Sequence, residues 1–176
     1  MEASKDQQSE PLINLSTTDG KVIQVKKNIL VSTSNFFKNV EDLGTGNIPT
    51  EASEAEWKLI IRFLEEYTGE RYKQIPDIEK PFRKAELDVY IKDPWILNYL
   101  NSLKNEELFR IVYICTYYEI LKLQEYASAK IAIQMYNKSS QEMRDLFNIK
   151  NDMTKEEEQQ AKEYFNWVQD IYGKKK

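Results

Sequence analysis

Leu12-Ile13-Asn14-Leu15-Ser16-Thr17-Thr18-Asp19-Gly20-Lys21-Val22-Ile23-Gln24-Val25 decides the fold class, because it carries a β-hairpin pattern in a chain whose remainder reads as helical. Ile13 and Leu15 repeat with period two before the turn, and Ile23 and Val25 repeat after it, the signature of strands with one buried face. Between them Asp19-Gly20 supplies the positive φ that a tight turn requires. Upstream, Met1 to Glu10 is almost free of apolar side chains, so residues 1–11 read as a disordered leader.

Downstream, Phe36, Val40 and Leu43 recur at helical spacing towards Gly44, a residue able to close a helix in the left-handed conformation. Ile48-Pro49-Thr50 offers one further short strand. Ser53 with Glu56 forms a capping box, followed by an apolar face of Trp57, Ile60, Ile61 and Leu64. From Thr68 to Asp93 the periodicity dissolves around Pro76 and Pro81, with six basic and six acidic residues intermixed, so 68–93 reads as a long loop.

The back half then reads as consecutive helices. Asn105 is placed to cap a helix carrying Leu108, Ile111, Val112 and Cys115, and Leu123, Ala127, Ile131 and Met135 form the next stripe. Ser139 with Glu142 and Thr154 with Glu157 are two more capping boxes. The second is reinforced by Glu156, Glu157 and Glu158, where the helix dipole favours negative charge. The last helix carries Ala161, Tyr164, Phe165, Val168, Ile171 and Tyr172, with Trp167 on its flank.

Composition narrows the chemistry. The 176 residues include no histidine, one cysteine and five glycines, with 25 basic against 29 acidic side chains. Without an imidazole, Ser-His-Asp and Cys-His catalysis and histidine metal ligation are excluded. Cys115 alone builds neither an internal disulfide nor a thiolate zinc site, and on an apolar helical face it reads as core. Gly44-Thr45-Gly46 and Gly20-Lys21 lack the flanking residues of a phosphate-binding loop. No cofactor is implied. A net charge of −4 argues against non-specific nucleic-acid binding, and no apolar run is long enough to span a bilayer. The polar start lacks the apolar stretch of a secretory signal, and a reducing cytoplasm or nucleus fits the lone thiol.

What remains is an excess of aromatic side chains, 12% of the chain. Phe147, Ile149, Met153, Phe165 and Trp167 fall on or beside the last two helices, too few elements to cover them all. Two readings stand about level: all are core, or they anchor an apolar groove filled by a partner's helices, an exposed groove that would also allow weak homodimerisation.

Met143-Arg144-Asp145-Leu146-Phe147-Asn148-Ile149-Lys150-Asn151-Asp152-Met153-Thr154-Lys155-Glu156-Glu157-Glu158 resembles the C-terminal signature of the S-phase-kinase-associated (Skp) adaptor family of cullin and F-box ubiquitin ligases. Asn166-Trp167 is similar to the family's closing Gln-Trp, and Leu15–Gly20, Val40–Gly44 and Leu108–Tyr117 resemble earlier family segments. The resemblance implies an α+β BTB/POZ fold, a three-stranded sheet with helices over residues 12–138, extended by F-box-binding helices over 139–176. It implies a non-catalytic adaptor whose F-box contacts are Leu123, Phe147, Ile149, Met153, Phe165 and Trp167, and whose cullin N-terminal region contacts are Thr116 and Tyr117.

The chain departs from the family at the end of the cullin-facing helix. The family usually reads Asn-Tyr-Leu-Asp-Ile-Lys-Gly-Leu-Leu where this chain reads Thr116-Tyr117-Tyr118-Glu119-Ile120-Leu121-Lys122-Leu123-Gln124. Tyr117 and Leu123 carry over, whereas Thr116 and Gln124 do not. Gln124 in place of a Leu implies an altered F-box choice, and the Thr116 departure leaves open the alternative function of an F-box-binding subunit of a non-ligase assembly, without cullin.

Overall fold

The computed structural model describes residues 10–40, 43 and 46–172, with side chains through Asn166. The expected leader therefore lies largely outside the described residues, as do Gly44 and the side chain of Trp167. The chain divides into two units, Met1–Asn137 and Lys138–Lys176.

In the first unit, strands β1 (Leu12–Ser16) and β2 (Val22–Lys26) pair antiparallel in the register Ile13↔Val25 and Leu15↔Ile23. Gly20 makes the turn at φ +77°, its amide donating to Thr17 O at 3.1 Å. Strand β3 (Asn47–Pro49) adds parallel to β1, giving the order β2-β1-β3. A parallel neighbour needs a crossover, and two short helices provide it: α1 (Lys27–Thr33) and α2 (Asn35–Asn39). The helix expected to reach Gly44 stops at Asn39, because Val40 is already extended. Leu43 is nonetheless buried.

Helix α3 (Glu54–Glu66) starts at the expected capping box, with Ser53 N donating to Glu56 Oε2 at 2.7 Å. It buries Trp57, Ile60, Phe63 and Leu64, whereas Ile61 is only half-buried. Trp57, Phe37 and Tyr118 meet in one aromatic cluster, the last two stacked at 5.4 Å. Trp57 Nε1 donates to Thr50 Oγ1 at 2.9 Å, so the indole is buried without an unsatisfied donor.

The long segment expected as a loop at 68–93 is largely an anchored strap. It contains α4 (Glu70–Lys73) and a 3-10 turn at Leu87–Val89, and it buries Ile75, Ile78, Leu87 and Ile91. Its end is capped by Asp93, whose carboxylate accepts from Trp95 N at 2.8 Å and Ile96 N at 3.3 Å. With Pro94 at the first position, this starts α5 (Pro94–Ser102), a helix absent from the sequence reading. Burial works against charge on Asp93, but the Tyr67 hydroxyl and these amides outweigh it and hold the carboxyl below its ordinary range.

Helix α6 (Asn105–Tyr117) begins one residue beyond its cap, which is Lys104 rather than Asn105. It buries Leu108, Ile111, Ile114 and Cys115, and burial pushes the Cys115 thiol far up, so it is core packing. Helix α7 (Leu121–Met135) buries Leu123, Tyr126, Ala127, Ala129 and Ile133, while Ile131 is half-buried and Met135 exposed. The buried face is rotated from the expected stripe because the strap covers α7: Tyr126 Oη donates to Pro76 O at 2.9 Å, and Lys122 and Glu125 pair with Asp77 and Lys80.

The second unit consists of α8 (Ser140–Phe147) and α9 (Lys155–Tyr172). Each starts at its expected box: Ser139 N donates to Glu142 Oε2 at 2.7 Å, and Thr154 N to Glu157 Oε2 at 2.8 Å.

Candidate protein-interaction surfaces

Between α8 and α9 the chain turns at Asn148, which takes the left-handed conformation at φ 54°, an accessible one for asparagine. Ile149 N then donates back to Arg144 O at 2.8 Å, closing the helix. Asn151 holds the rest of the link, accepting from Met153 N at 3.3 Å and donating to Glu158 Oε1 at 3.1 Å. This short, hydrogen-bonded link fixes Ile149 and Met153 on an exposed stretch.

None of the described side chains between Lys138 and Asn166 is buried. Ile149 is 56% exposed and Phe165 61%, with Met153 exposed and Phe147 half-buried. Met153, Ala161 and Phe165 floor an open groove of about 710 Å³ within this unit, rimmed by Arg144, Glu158 and Lys162. Four of the six expected F-box contacts thus lie together in one unit whose apolar face is open. Of Trp167, the structure describes the helical backbone alone.

Leu123 is the exception. It is fully buried in the first unit and presents no surface to a partner, which corrects its expected F-box-facing role. Its side chain belongs to the main apolar cluster of that unit.

A second surface lies on α6. Phe109, Tyr113 and Tyr117 recur every four residues, so they share one face, and they are 42%, 54% and 52% exposed. The Arg110 guanidinium lies 5.2 Å from the Tyr113 ring and is itself fixed by an ion pair with Glu56. Tyr117 leans on Tyr118 at 4.8 Å and Phe36 at 6.1 Å, which orients the ring without burying it. Only Tyr117 was singled out from sequence; the four-residue aromatic spacing was the available sign for Phe109 and Tyr113.

Thr116, the other expected cullin contact, is exposed but internally engaged. Its Oγ1 donates to Val112 O at 2.7 Å and accepts from Gln124 Nε2 at 2.9 Å. The departure at 116 and the departure at 124 are therefore one feature, a hydrogen bond joining the end of α6 to the start of α7.

A three-stranded sheet with crossover and flanking helices, carrying an open pair of C-terminal amphipathic helices, defines an α+β protein of BTB/POZ type. Among the described residues no group of three or more metal-binding side chains occurs. Residues 122–168 match the family model "Skp1 family, dimerisation domain". The chain is 31% identical over 160 residues to the S-phase kinase-associated protein 1 homolog of Tetrahymena thermophila, covering 90% of this chain and 94% of the relative. It is 25% identical over 162 residues to SCF ubiquitin ligase complex protein SKP1b of Dictyostelium discoideum (92% and 98% covered). To E3 ubiquitin ligase complex SCF subunit sconC of Arthroderma benhamiae it is 28% identical over 162 residues (90% and 95% covered). The chain belongs to the Skp1 family.

Proposed function

We propose that this protein is a non-catalytic adaptor of an SCF-type ubiquitin ligase. The open α8–α9 face binds the F-box of a substrate receptor, and the aromatic row on α6 binds the N-terminal region of a cullin. The adaptor contributes no acid, base or nucleophile; it raises the effective concentration of substrate beside the ligase. The proposal extends to a cytoplasmic and nuclear setting, which suits the single buried thiol.

The observation that carries the reading is the C-terminal unit: two well-capped amphipathic helices with none of their described apolar residues fully buried. Helices gain most of their stability from packing an apolar face, so such a unit is suited to completing its core with a partner's helices. The names of the relatives support the ligase context. Purified protein mixed with an F-box domain and a cullin N-terminal domain should form a ternary complex on size exclusion. Failure to retain either partner at micromolar concentration contradicts the adaptor role.

A second reading, an F-box-binding subunit without cullin, is favoured by one observation. The Thr116 hydroxyl is engaged on both sides within the chain, donating to Val112 and accepting from Gln124. A ternary mixture in which the F-box domain is retained and the cullin is not selects this reading.

A further inference from the structure

We infer that Gln124 is a specificity-determining contact of the cullin-facing surface, an inference that rests on the adaptor reading above. The geometry begins with the proton on Thr116. Its Oγ1 donates that proton to Val112 O at 2.7 Å, so the group of Gln124 that approaches Oγ1 at 2.9 Å has to be the donor, the amide Nε2. The carboxamide is thereby oriented. Its Nε2 is committed to Thr116, which leaves Oε1 as the acceptor end of the carboxamide, turned away from that hydroxyl.

The position of this oxygen matters because the surface turns a corner there. Helix α6 ends at Tyr117, Glu119 takes a left-handed φ of 51°, and α7 starts at Leu121. Ile120 N donates to Cys115 O at 2.9 Å, and Gln124 N to Ile120 O at 3.1 Å, which fixes the turn. Two side chains flank it with large exposed apolar areas, Tyr117 at 52% and Leu121 at 54%. Gln124 also lines an open groove of about 450 Å³ with Leu121, Phe82 and Ser128, so its carboxamide is accessible to a partner.

The aromatic row of α6 therefore continues onto α7 through Gln124 and Leu121. A cullin segment seated on Tyr117 would meet Oε1 as a fixed acceptor, held by Thr116 before the partner arrives. Such an acceptor selects a partner that offers a hydrogen-bond donor at that point, because a buried oxygen left unpaired in the complex is penalised. Thr116 acts as a positioning residue for this amide rather than as a contact.

Calorimetric titration of the full chain with a cullin N-terminal domain tests the assignment, with F-box binding measured on the same proteins. Gln124→Leu keeps the size but removes the acceptor, and should weaken cullin binding about three- to tenfold while leaving F-box affinity within about twofold. Thr116→Val removes the tether and should weaken binding by less. The double variant should be no weaker than Gln124→Leu, since the two act as a unit. Wild-type cullin affinity in Gln124→Leu overturns the assignment, as do additive losses in the double variant or a loss confined to the F-box. Tyr117→Ala serves as the control: if it and Gln124→Leu both leave cullin binding unchanged, or if the wild-type chain does not bind, the adaptor reading falls with the inference. A loss in Tyr117→Ala alone overturns Gln124 and keeps the adaptor.

Discussion

Leu123 and Tyr117 sit six residues apart, and the structure gives them opposite environments. Leu123 has no exposed surface, and Tyr117 has half of its surface exposed. Leu123→Ala should therefore lower folding stability by about 2–5 kcal/mol, the range for truncating a buried leucine, as read by chemical denaturation. A variant that keeps its stability but loses F-box affinity restores the contact role. Tyr117→Ala should do the reverse, changing stability by no more than about 1 kcal/mol while removing about 2 kcal/mol or more of cullin binding. Tyr117 entered the sequence reading through the family resemblance alone, since its exposure is set by how α6 packs. The burial of Leu123 was not legible, since an apolar residue on an amphipathic helix looks the same whether a strap of the same chain or a partner covers it. The pairing of Thr116 with Gln124 was also hidden: spaced eight apart, they meet because the chain turns at Glu119.

Among elements, the legible helices were those with a capping box or a long apolar stripe; α6 and α7 were read from their stripes without a side-chain cap. Three boxes, at Ser53, Ser139 and Thr154, form as expected. Helix α1 escaped notice because it has no side-chain cap and is rich in β-branched residues; it exists because Ile29 and Leu30 are buried. Helix α5 was legible in principle, from Asp93-Pro94, but sat at the end of a segment read as loop. The boxes of α8 and α9 also give a pH signature. Hydrogen bonds from the Ser139 and Thr154 backbone and hydroxyls hold the Glu142 and Glu157 carboxyls below their ordinary range. A depressed carboxyl stabilises the folded form above its unfolded pKa of about 4.3, and that contribution is lost as pH falls through the lower folded value. Amide exchange across residues 140–166 should accordingly accelerate below about pH 4 relative to the buried helices α3 and α6. Glu142→Gln with Glu157→Gln keeps an acceptor at each box and should flatten this pH dependence; an unchanged profile in the double variant assigns it to other groups.

Over the whole molecule, the hairpin and the resemblance at 143–158 were enough to read the α+β class, whereas the strap at 68–93 was not readable as structure. Its apolar residues, Ile75, Ile78, Leu87 and Ile91, are separated by three, nine and four positions, a spacing with no helical or strand period to detect. They are buried in the main apolar cluster all the same, in a strap tied to α7 through Tyr126, Lys122 and Glu125. The distribution of the core makes a final prediction about the two units. Every residue of the main apolar cluster falls between Ile13 and Ile133, inside the first unit, while none of the described side chains of the second unit is buried. Ending the chain at Asn137 should then leave a cooperatively folded protein, its unfolding free energy changed by about 1 kcal/mol or less, as for changes outside a core. That truncated protein should still bind a cullin N-terminal domain through Tyr117 and Gln124, and should no longer retain an F-box domain. Denaturation monitored by Trp57 and Trp95 fluorescence, together with both titrations, reads all three outcomes. Retained F-box binding would move the F-box surface onto the first unit, and loss of cooperative unfolding would mean that residues beyond Asn137 supply part of its core.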